Sequence, residues 1–245
     1  MPKSSFVLRA PELQTDYHLF LDTPKDLAGS PLVLVLDGDD QFAAAVEAAR
    51  ESEREGAIPP LTLVGVGYGG GYRSPLNRRV RDYTPTQPKD EPMETGGAEA
   101  FHLFLQKRLV PTVLEKLTLA PPSLGLTGHS LGSLFGLHAL FRSEPFFDAF
   151  LISSPSIWWD DRAILNTVKT TPALSSARGV KAFMSVGEDD TPSMTGDLGL
   201  LENELQRRPR AGLSYTVERF SKKDHYNVLP PAFRRGFQWL FAPRS

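Results

Sequence analysis

Pro122-Ser123-Leu124-Gly125-Leu126-Thr127-Gly128-His129-Ser130-Leu131-Gly132-Ser133-Leu134-Phe135-Gly136-Leu137-His138-Ala139-Leu140 is the stretch from which the rest of the chain can be read. A short apolar run enters a turn of small residues and leaves with apolar residues at Leu131, Leu134, Phe135, Leu137 and Leu140, a helical spacing. The segment predicts a strand, a sharp turn and a helix. Gly128, Ser130 and Gly132 give the turn the form G-x-S-x-G, the spacing of a nucleophile elbow. Such a turn holds a serine hydroxyl clear of the backbone, beside a helix N-terminus whose free amides favour developing negative charge. Glycine on either side lets neighbouring backbone approach where a Cβ would clash.

Working outward, Phe6–Arg9 and Tyr17–Asp22 read as an antiparallel pair separated by Pro11 and a polar turn. Pro31–Leu36 is a continuous apolar run, as expected of a strand covered on both faces. It ends in Asp37-Gly38-Asp39-Asp40, after which Gln41–Arg54 reads as a helix, and Leu61–Val66 as a second buried strand. Glu99–Leu117 is a helix that tolerates or kinks at Pro111. Beyond the serine turn come strands at Phe146–Ser153, Val180–Val186 and Leu213–Phe220, with helices at Arg162–Val168, Leu198–Arg207 and Ala232–Phe241. The alternation predicts an α/β fold of one domain over residues 1–245, its mostly parallel central sheet flanked by helices and opened by antiparallel N-terminal strands. Ligands of such sheets bind beyond the carboxyl ends of the strands. Asp37–Asp40, Gly67–Pro85, Ser130, Ser154–Trp159, Glu188–Asp190 and His225 all follow predicted strands and should converge there.

The bulk composition removes several classes of function. Net charge is −2, and the basic residues are scattered, so no field gathers nucleic acid or an acidic membrane surface. The absence of cysteine excludes disulfides, thiolate metal sites and a cysteine nucleophile, and the dispersed histidines do not suggest a metal centre. Met1–Ala10 lacks the apolar core of a signal peptide and no run could span a bilayer, so the expectation is a cytoplasmic protein with a small-molecule partner and no cofactor.

A serine needs a histidine base oriented by a carboxylate, and in folds with this elbow the order along the chain is serine, acid, histidine. Of five histidines only His225 lies beyond both the elbow and the acidic turn Gly187-Glu188-Asp189-Asp190. It stands in a polar turn between the last strand and the last helix. Asp190 is the first choice for the acid and Glu188 the second, with Asp189 also within the turn. Two backbone amides must receive the oxyanion: that of Leu131, after the serine, and that of Asp39, aimed inward by the turn at Gly38. The carboxylates of Asp39 and Asp40 should then point away or meet a cation. In the long segment Gly67–Gly97, Tyr72, Arg78 and Arg81 are candidates, with Trp158, for lining the acyl or alcohol pocket. The competing reading makes the arginines a solvated face with Asp82 as ion-pair partner, and turns one of Trp158 and Trp159 inward.

Asp37-Gly38, the Gly128–Gly132 elbow, Arg81-Asp82-Tyr83-Thr84-Pro85, Ser154-Pro155-Ser156-Ile157-Trp158-Trp159 and His225 together resemble the Putative esterase family of α/β-hydrolases. That family includes the enterochelin (siderophore) esterases, S-formylglutathione hydrolases and mycolyltransferases. The resemblance runs from about Tyr17 to Phe241 and is closest to the single-domain siderophore-esterase-like branch. It implies Ser130 as nucleophile, His225 as base, an acid from the Gly187–Asp190 turn, Asp39 and Leu131 amides as oxyanion donors, and hydrolysis of carboxylic esters. Acyl transfer from the same site, or a catalytically inactive binding module, are the alternatives. The Arg81–Pro85 run is similar to a segment near the active site in that branch, where arginines could hold an acidic or catecholate ligand. Two departures stand out: Ser133 replaces a frequent second glycine, and the siderophore esterases' N-terminal domain has no match in this sequence.

Overall fold

The computed structural model describes residues 4–171, 174 and 179–243. Its sheet contains β1 (Ser4–Ala10), β2 (Thr15–Asp22), β3 (Leu32–Leu36), β4 (Thr62–Gly67), β5 (Leu124–His129), β6 (Ala149–Ser153), β7 (Val180–Gly187) and β8 (Leu213–Phe220), in the order β1-β2-β4-β3-β5-β6-β7-β8. The helices are α1 (Gly38–Arg54), α2 (Arg79–Tyr83), α3 (Ala98–Phe104), α4 (Val110–Leu117), α5 (Leu131–Leu140), α6 (Trp159–Thr170), α7 (Pro192–Arg207) and α8 (Leu229–Phe241). β1 and β2 are antiparallel, as is β2 to β4, and every pairing from β4 onward is parallel. No described helix is long and apolar enough to cross a membrane.

All five residues of β3 are buried, which is why the run lacks polar alternation. Leu32, Leu34 and Leu36 enter a core shared with α3 and α5, while Val33 and Val35 enter a second core with Phe42 and Ala45 of α1 and Phe233 and Phe237 of α8. From β3 the chain moves to β4 on one side, then returns to β5 on the other. The strand order reverses at that point, and in open parallel sheets ligands bind beyond the carboxyl ends of the strands at such a reversal, here those of β3 and β5. Asp37 follows one strand and Ser130 the other.

Local chemistry explains where elements depart from the sequence expectation. Between α3 and α4 the helix passes through a π turn at Leu105–Leu109, with the Val110 amide bonded to the Leu105 carbonyl. Pro111 falls at the start of α4, so its missing N–H is absorbed by the wider turn rather than by a break. Helix α8 starts at Leu229, earlier than the apolar spacing suggests, because Pro230 and Pro231 occupy the first turn, where no N–H is needed. Helix α6 opens with three left-handed residues, Asp160, Asp161 and Arg162, and becomes regular only after them.

The segment between β4 and α3 is tied down by a buried carboxylate. Asp82 Oδ2 accepts from the hydroxyls of Tyr17 at 2.7 Å and Tyr68 at 3.0 Å, and Asp82 Oδ1 accepts from Arg81 Nε at 2.7 Å. Arg81 reaches on to the Leu13 carbonyl at 2.8 Å and Thr15 Oγ1 at 3.0 Å. Burial raises the Asp82 pKa, opposed by Arg81 and both phenols. The network joins the loop to the β1–β2 hairpin and to the end of β4. Replacing Asp82 by alanine leaves Arg81 without its buried partner and is expected to lower stability by about 3–5 kcal/mol, read as a shift in urea midpoint.

His102, 1% exposed on α3, has its pKa lowered to about 4 by burial first and by Arg142 and His138 next. Its depressed pKa means the unfolded chain binds the proton first on acidification. Stability from this site is complete above about pH 6.5 and falls as pH drops toward 4. His102→Phe should therefore reduce the loss of unfolding free energy between pH 7 and pH 5 by on the order of 1–2 kcal/mol, measured by denaturant titration at both pH values.

Candidate active site

Ser130 follows β5 with φ 57° and ψ −121°, outside the regions a side chain adopts freely, and its carbonyl receives the amides of Ser133 and Leu134 as α5 begins. The Ser130 amide donates to the Ser153 carbonyl on β6 at 3.0 Å. The turn is closed by glycine: a Cβ on Gly128 would sit 2.4 Å from the Gly132 carbonyl carbon and oxygen. Ser133, the departure noted in the sequence, is a fastener. Its Oγ lies 2.6 Å from the Gly128 carbonyl and 2.9 Å from that of Ser153, and it accepts the Ser153 amide at 2.8 Å.

His225 lies on the turn between β8 and α8. Asp224 Oδ1 accepts the amides of Tyr226 and Asn227, each at 2.9 Å, and these bonds hold the Asp224 carboxyl below its ordinary pKa. His225 Nε2 is 3.1 Å from Ser130 Oγ and Nδ1 is 3.0 Å from Asp190 Oδ2. A carboxylate can only accept, so Nδ1–H donates to Asp190, and Nε2 is left to accept from the serine hydroxyl. Asp190 is buried, whereas Glu188 and Asp189 are exposed, and His225 is hydrogen-bonded to neither. Gly187 lets the two loops meet, because a Cβ there would lie 2.1 Å from the Lys223 carbonyl oxygen.

Two further residues line this chain of contacts. The His129 ring packs 4.6 Å from that of His225, with Nδ1 3.2 Å from Ser153 Oγ. Burial, His225 and Arg79 lower its pKa to about 3, so it forms an uncharged wall at neutral pH. Ser156 Oγ is 3.3 Å from Ser130 Oγ, and its amide reaches the Ser130 carbonyl at 3.2 Å.

Helices α1 and α5 both begin at this end of the sheet. In α5 the Leu131 amide is the first after Ser130, ahead of those returned to the Ser130 carbonyl; in α1 the Asp39 amide is the second after Asp37, also ahead of the Asp40 and Gln41 amides bonded to the Asp37 carbonyl. The Asp39 carboxylate is turned to the Tyr68 amide at 2.6 Å. The cation at this helix end meets Asp37 instead. Arg79 Nε and Nη2 bind the two oxygens of Asp37 at 2.9 and 3.0 Å, and the guanidinium lies 4.9 Å from the Tyr72 ring centroid.

The pocket residues expected from the sequence divide. Tyr72 is half-exposed, with its hydroxyl accepting from Gln41 at 2.7 Å, and Trp158 is exposed while Trp159 is buried and donates to Thr86 at 3.2 Å. Arg78 binds the Pro75 carbonyl at 2.7 Å, and Arg81 is engaged by Asp82. These two line a hollow with Glu12, Asn77 and Met93 whose lining includes none of Ser130, His225 and Asp190. The arginine at the head of α1 is their neighbour Arg79, which the sequence reading did not single out. Its periodicity gave no signal: in a run of arginines only α2's register decides which one turns inward. Ser156 was within a quoted motif, but contact with Ser130 depends on the parallel pairing of β5 and β6.

Comparison with known proteins places the chain in a family. A profile of the Putative esterase family matches residues 10–218, and the chain belongs to that family. Among its relatives, the ferri-bacillibactin esterase BesA of Bacillus subtilis is 28% identical over 249 residues, covering 93% of this chain and 85% of that protein. The siderophore enterobactin esterase of Emericella nidulans is 34% identical over 253 residues, covering 85% and 81%. The crystal structure of the BES protein from Bacillus cereus superposes with a TM-score of 0.86 at 25% identity, covering 98% of this chain and 95% of that one. The sheet and its flanking helices are those of an α/β-hydrolase, and the relatives' names support ester hydrolysis.

The turn gives a direct test of the packing. Gly128→Ala forces the strand and helix of the turn apart, so the variant is expected to lose at least about 2 kcal/mol of stability, read as a shift in urea midpoint, whereas Gly199→Ala, whose added Cβ meets open space on α7, should not.

Proposed function

We propose that the chain is a serine esterase, working as a single α/β-hydrolase domain, that hydrolyses siderophore-type and related small carboxylic esters. The observation that carries the reading is the continuous relay from Asp190 through His225 to Ser130, with steps of 3.0 and 3.1 Å, on a residue of strained backbone. Ser130 Oγ attacks the ester carbonyl as its proton passes to His225 Nε2. Asp190 stabilises the imidazolium and fixes its orientation. The oxyanion that forms receives the Leu131 and Asp39 amides, at two helix ends whose dipoles favour negative charge. Collapse of the intermediate releases the alcohol, which takes the proton from His225 and leaves an acyl group on Ser130. Water, deprotonated by His225, then attacks the acyl-enzyme and frees the acid.

The siderophore assignment is supported by the named activities of the relatives and by exposed aromatic side chains suited to aryl groups: Tyr72, Trp158 and Tyr226, the last edge-on to His225 at 5.6 Å. Ser130→Ala should lower kcat/KM on 4-nitrophenyl butyrate and on a catecholate trilactone by at least about 10⁴-fold, and Asp190→Asn by about 10³–10⁴-fold. Glu188→Gln should stay within twofold of the parent. Steady-state rates on both substrates check this; an alanine variant at position 130 as active as the parent would refute the nucleophile, and hydrolysis of the nitrophenyl ester alone would refute the siderophore assignment.

A further inference from the structure

The Asp37 carboxylate poses an electrostatic problem for this reaction. Asp37 immediately precedes α1, its backbone is left-handed at φ 52°, and its side chain is fully enclosed. A Cβ built on Gly132, in the first turn of α5, would be 3.4 Å from Asp37 Oδ2, so the carboxylate lies against the helix start that follows Ser130. The two helix N-termini proposed to receive the oxyanion thus have a buried anion between them. An uncompensated charge there would neutralise the favourable field of both helix ends and oppose negative charge on the substrate oxygen.

Arg79 is built to cancel it. The guanidinium forks onto both Asp37 oxygens, at 2.9 and 3.0 Å, with its own side chain 15% exposed. It lies over the rings of Tyr72 and Tyr83, 4.9 and 5.6 Å from their centroids. Gln41 donates to both Asp37 Oδ2 at 3.2 Å and the Tyr72 hydroxyl at 2.7 Å, and the Tyr83 hydroxyl accepts the Asp37 amide at 3.1 Å. Every polar partner therefore fixes Arg79 and Asp37 to one another and to the strained turn carrying Gly38 and Asp39.

We infer that Arg79 is a positioning residue of the esterase reaction: by neutralising Asp37 it makes the paired ends of α1 and α5 competent to stabilise the oxyanion. The inference rests on the serine-esterase reading above. It predicts an asymmetry between the two partners. Removing the cation leaves the anion beside the developing oxyanion and slows the chemical step; removing the anion's charge does not, since asparagine keeps the hydrogen-bonding shape and tolerates a left-handed backbone. A pair that merely braced the fold would lose activity from either side.

The experiment compares Arg79→Met, Asp37→Asn and the double variant in the full chain, with 4-nitrophenyl butyrate as substrate and thermal unfolding as the folding control. Arg79→Met is expected to lower kcat about a hundredfold with KM within threefold. Asp37→Asn should remain within fivefold of the parent, and the double variant should recover at least tenfold over Arg79→Met. An Arg79→Met kcat within threefold of the parent overturns the inference, as does a double variant no faster than Arg79→Met. If Arg79→Met does not fold, Asp37→Asn and the double variant decide: both within tenfold of the parent supports the inference, and a hundredfold loss in either overturns it. Ser130→Ala run alongside separates the two levels, because activity in that variant removes the esterase reading itself, whereas its inactivity with an unaffected Arg79→Met removes only the role of Arg79.

Discussion

The parallel pairing of β3 with both β4 and β5 is the constraint from which the rest of the site follows. A strand flanked on both sides by parallel neighbours cannot be joined to either by a hairpin, so each connection must cross a face of the sheet. The first crossing, through α1, goes one way and the return to β5 goes the other, leaving two chain exits side by side. Each exit turns at once into a helix. Two helix N-termini consequently lie at the same end of neighbouring strands, and the residues between strand and helix, Asp37 and Ser130, have almost no freedom in where they lie.

That economy of connection is met with backbone strain. Left-handed or otherwise positive-φ residues other than glycine occur at Asp37 after β3, Ser130 after β5, Ser154 after β6 and Lys222 after β8. Such conformations are of order 1–3 kcal/mol unfavourable and persist where surrounding contacts over-determine them. Here the contacts can be named. Tyr83 and Arg79 hold Asp37, Ser133 and the Ser153 carbonyl hold the elbow, and the Asp224 turn with its two amides holds the loop of His225. These four strand exits lie on the edge of the proposed chemistry, with Gln14 and Thr118 in the same conformation away from it, while the sheet interior, where Leu32–Leu36 and Thr62–Gly67 are wholly buried, is regular.

This division also explains what could be read from sequence. Buried strands announce themselves by continuous apolar runs and helices by their spacing, so the β3, β5, α5 and α8 patterns led to the sheet and its coverage. The elbow was legible because its shape demands particular residues at fixed spacing: Gly128 and Gly132 approach within the space a Cβ would fill. Chain order alone singled out His225, and its Nε2 stands 3.1 Å from Ser130 Oγ. The choice among Glu188, Asp189 and Asp190 required burial, which only the turn after β7 determines, and it falls on Asp190 as the contact to His225. The arginines were illegible for a sharper reason. Arg78, Arg79 and Arg81 share composition and neighbourhood, and the five-residue helix α2 with its cap Arg78 sends each in a different direction, one to a surface carbonyl, one to Asp37 and one to Asp82.

Those last two pairs show why the long segment after β4 is ordered despite its glycines and prolines. Each places a charged side chain in the protein interior, which is unfavourable unless the partner is present and well aligned. Tyr17, Tyr68 and Arg81 converge on Asp82, and Gln41 and Arg79 converge on Asp37. Because Arg79, Arg81 and Asp82 lie within one short helix, the two anchors cannot be satisfied separately. Docking α2 against the hairpin through Asp82 sets the register that delivers Arg79 to Asp37. The loop's order and the electrostatics at the head of α1 are therefore a single structural event, and a substitution that frees Asp82 should be felt there as well as in stability.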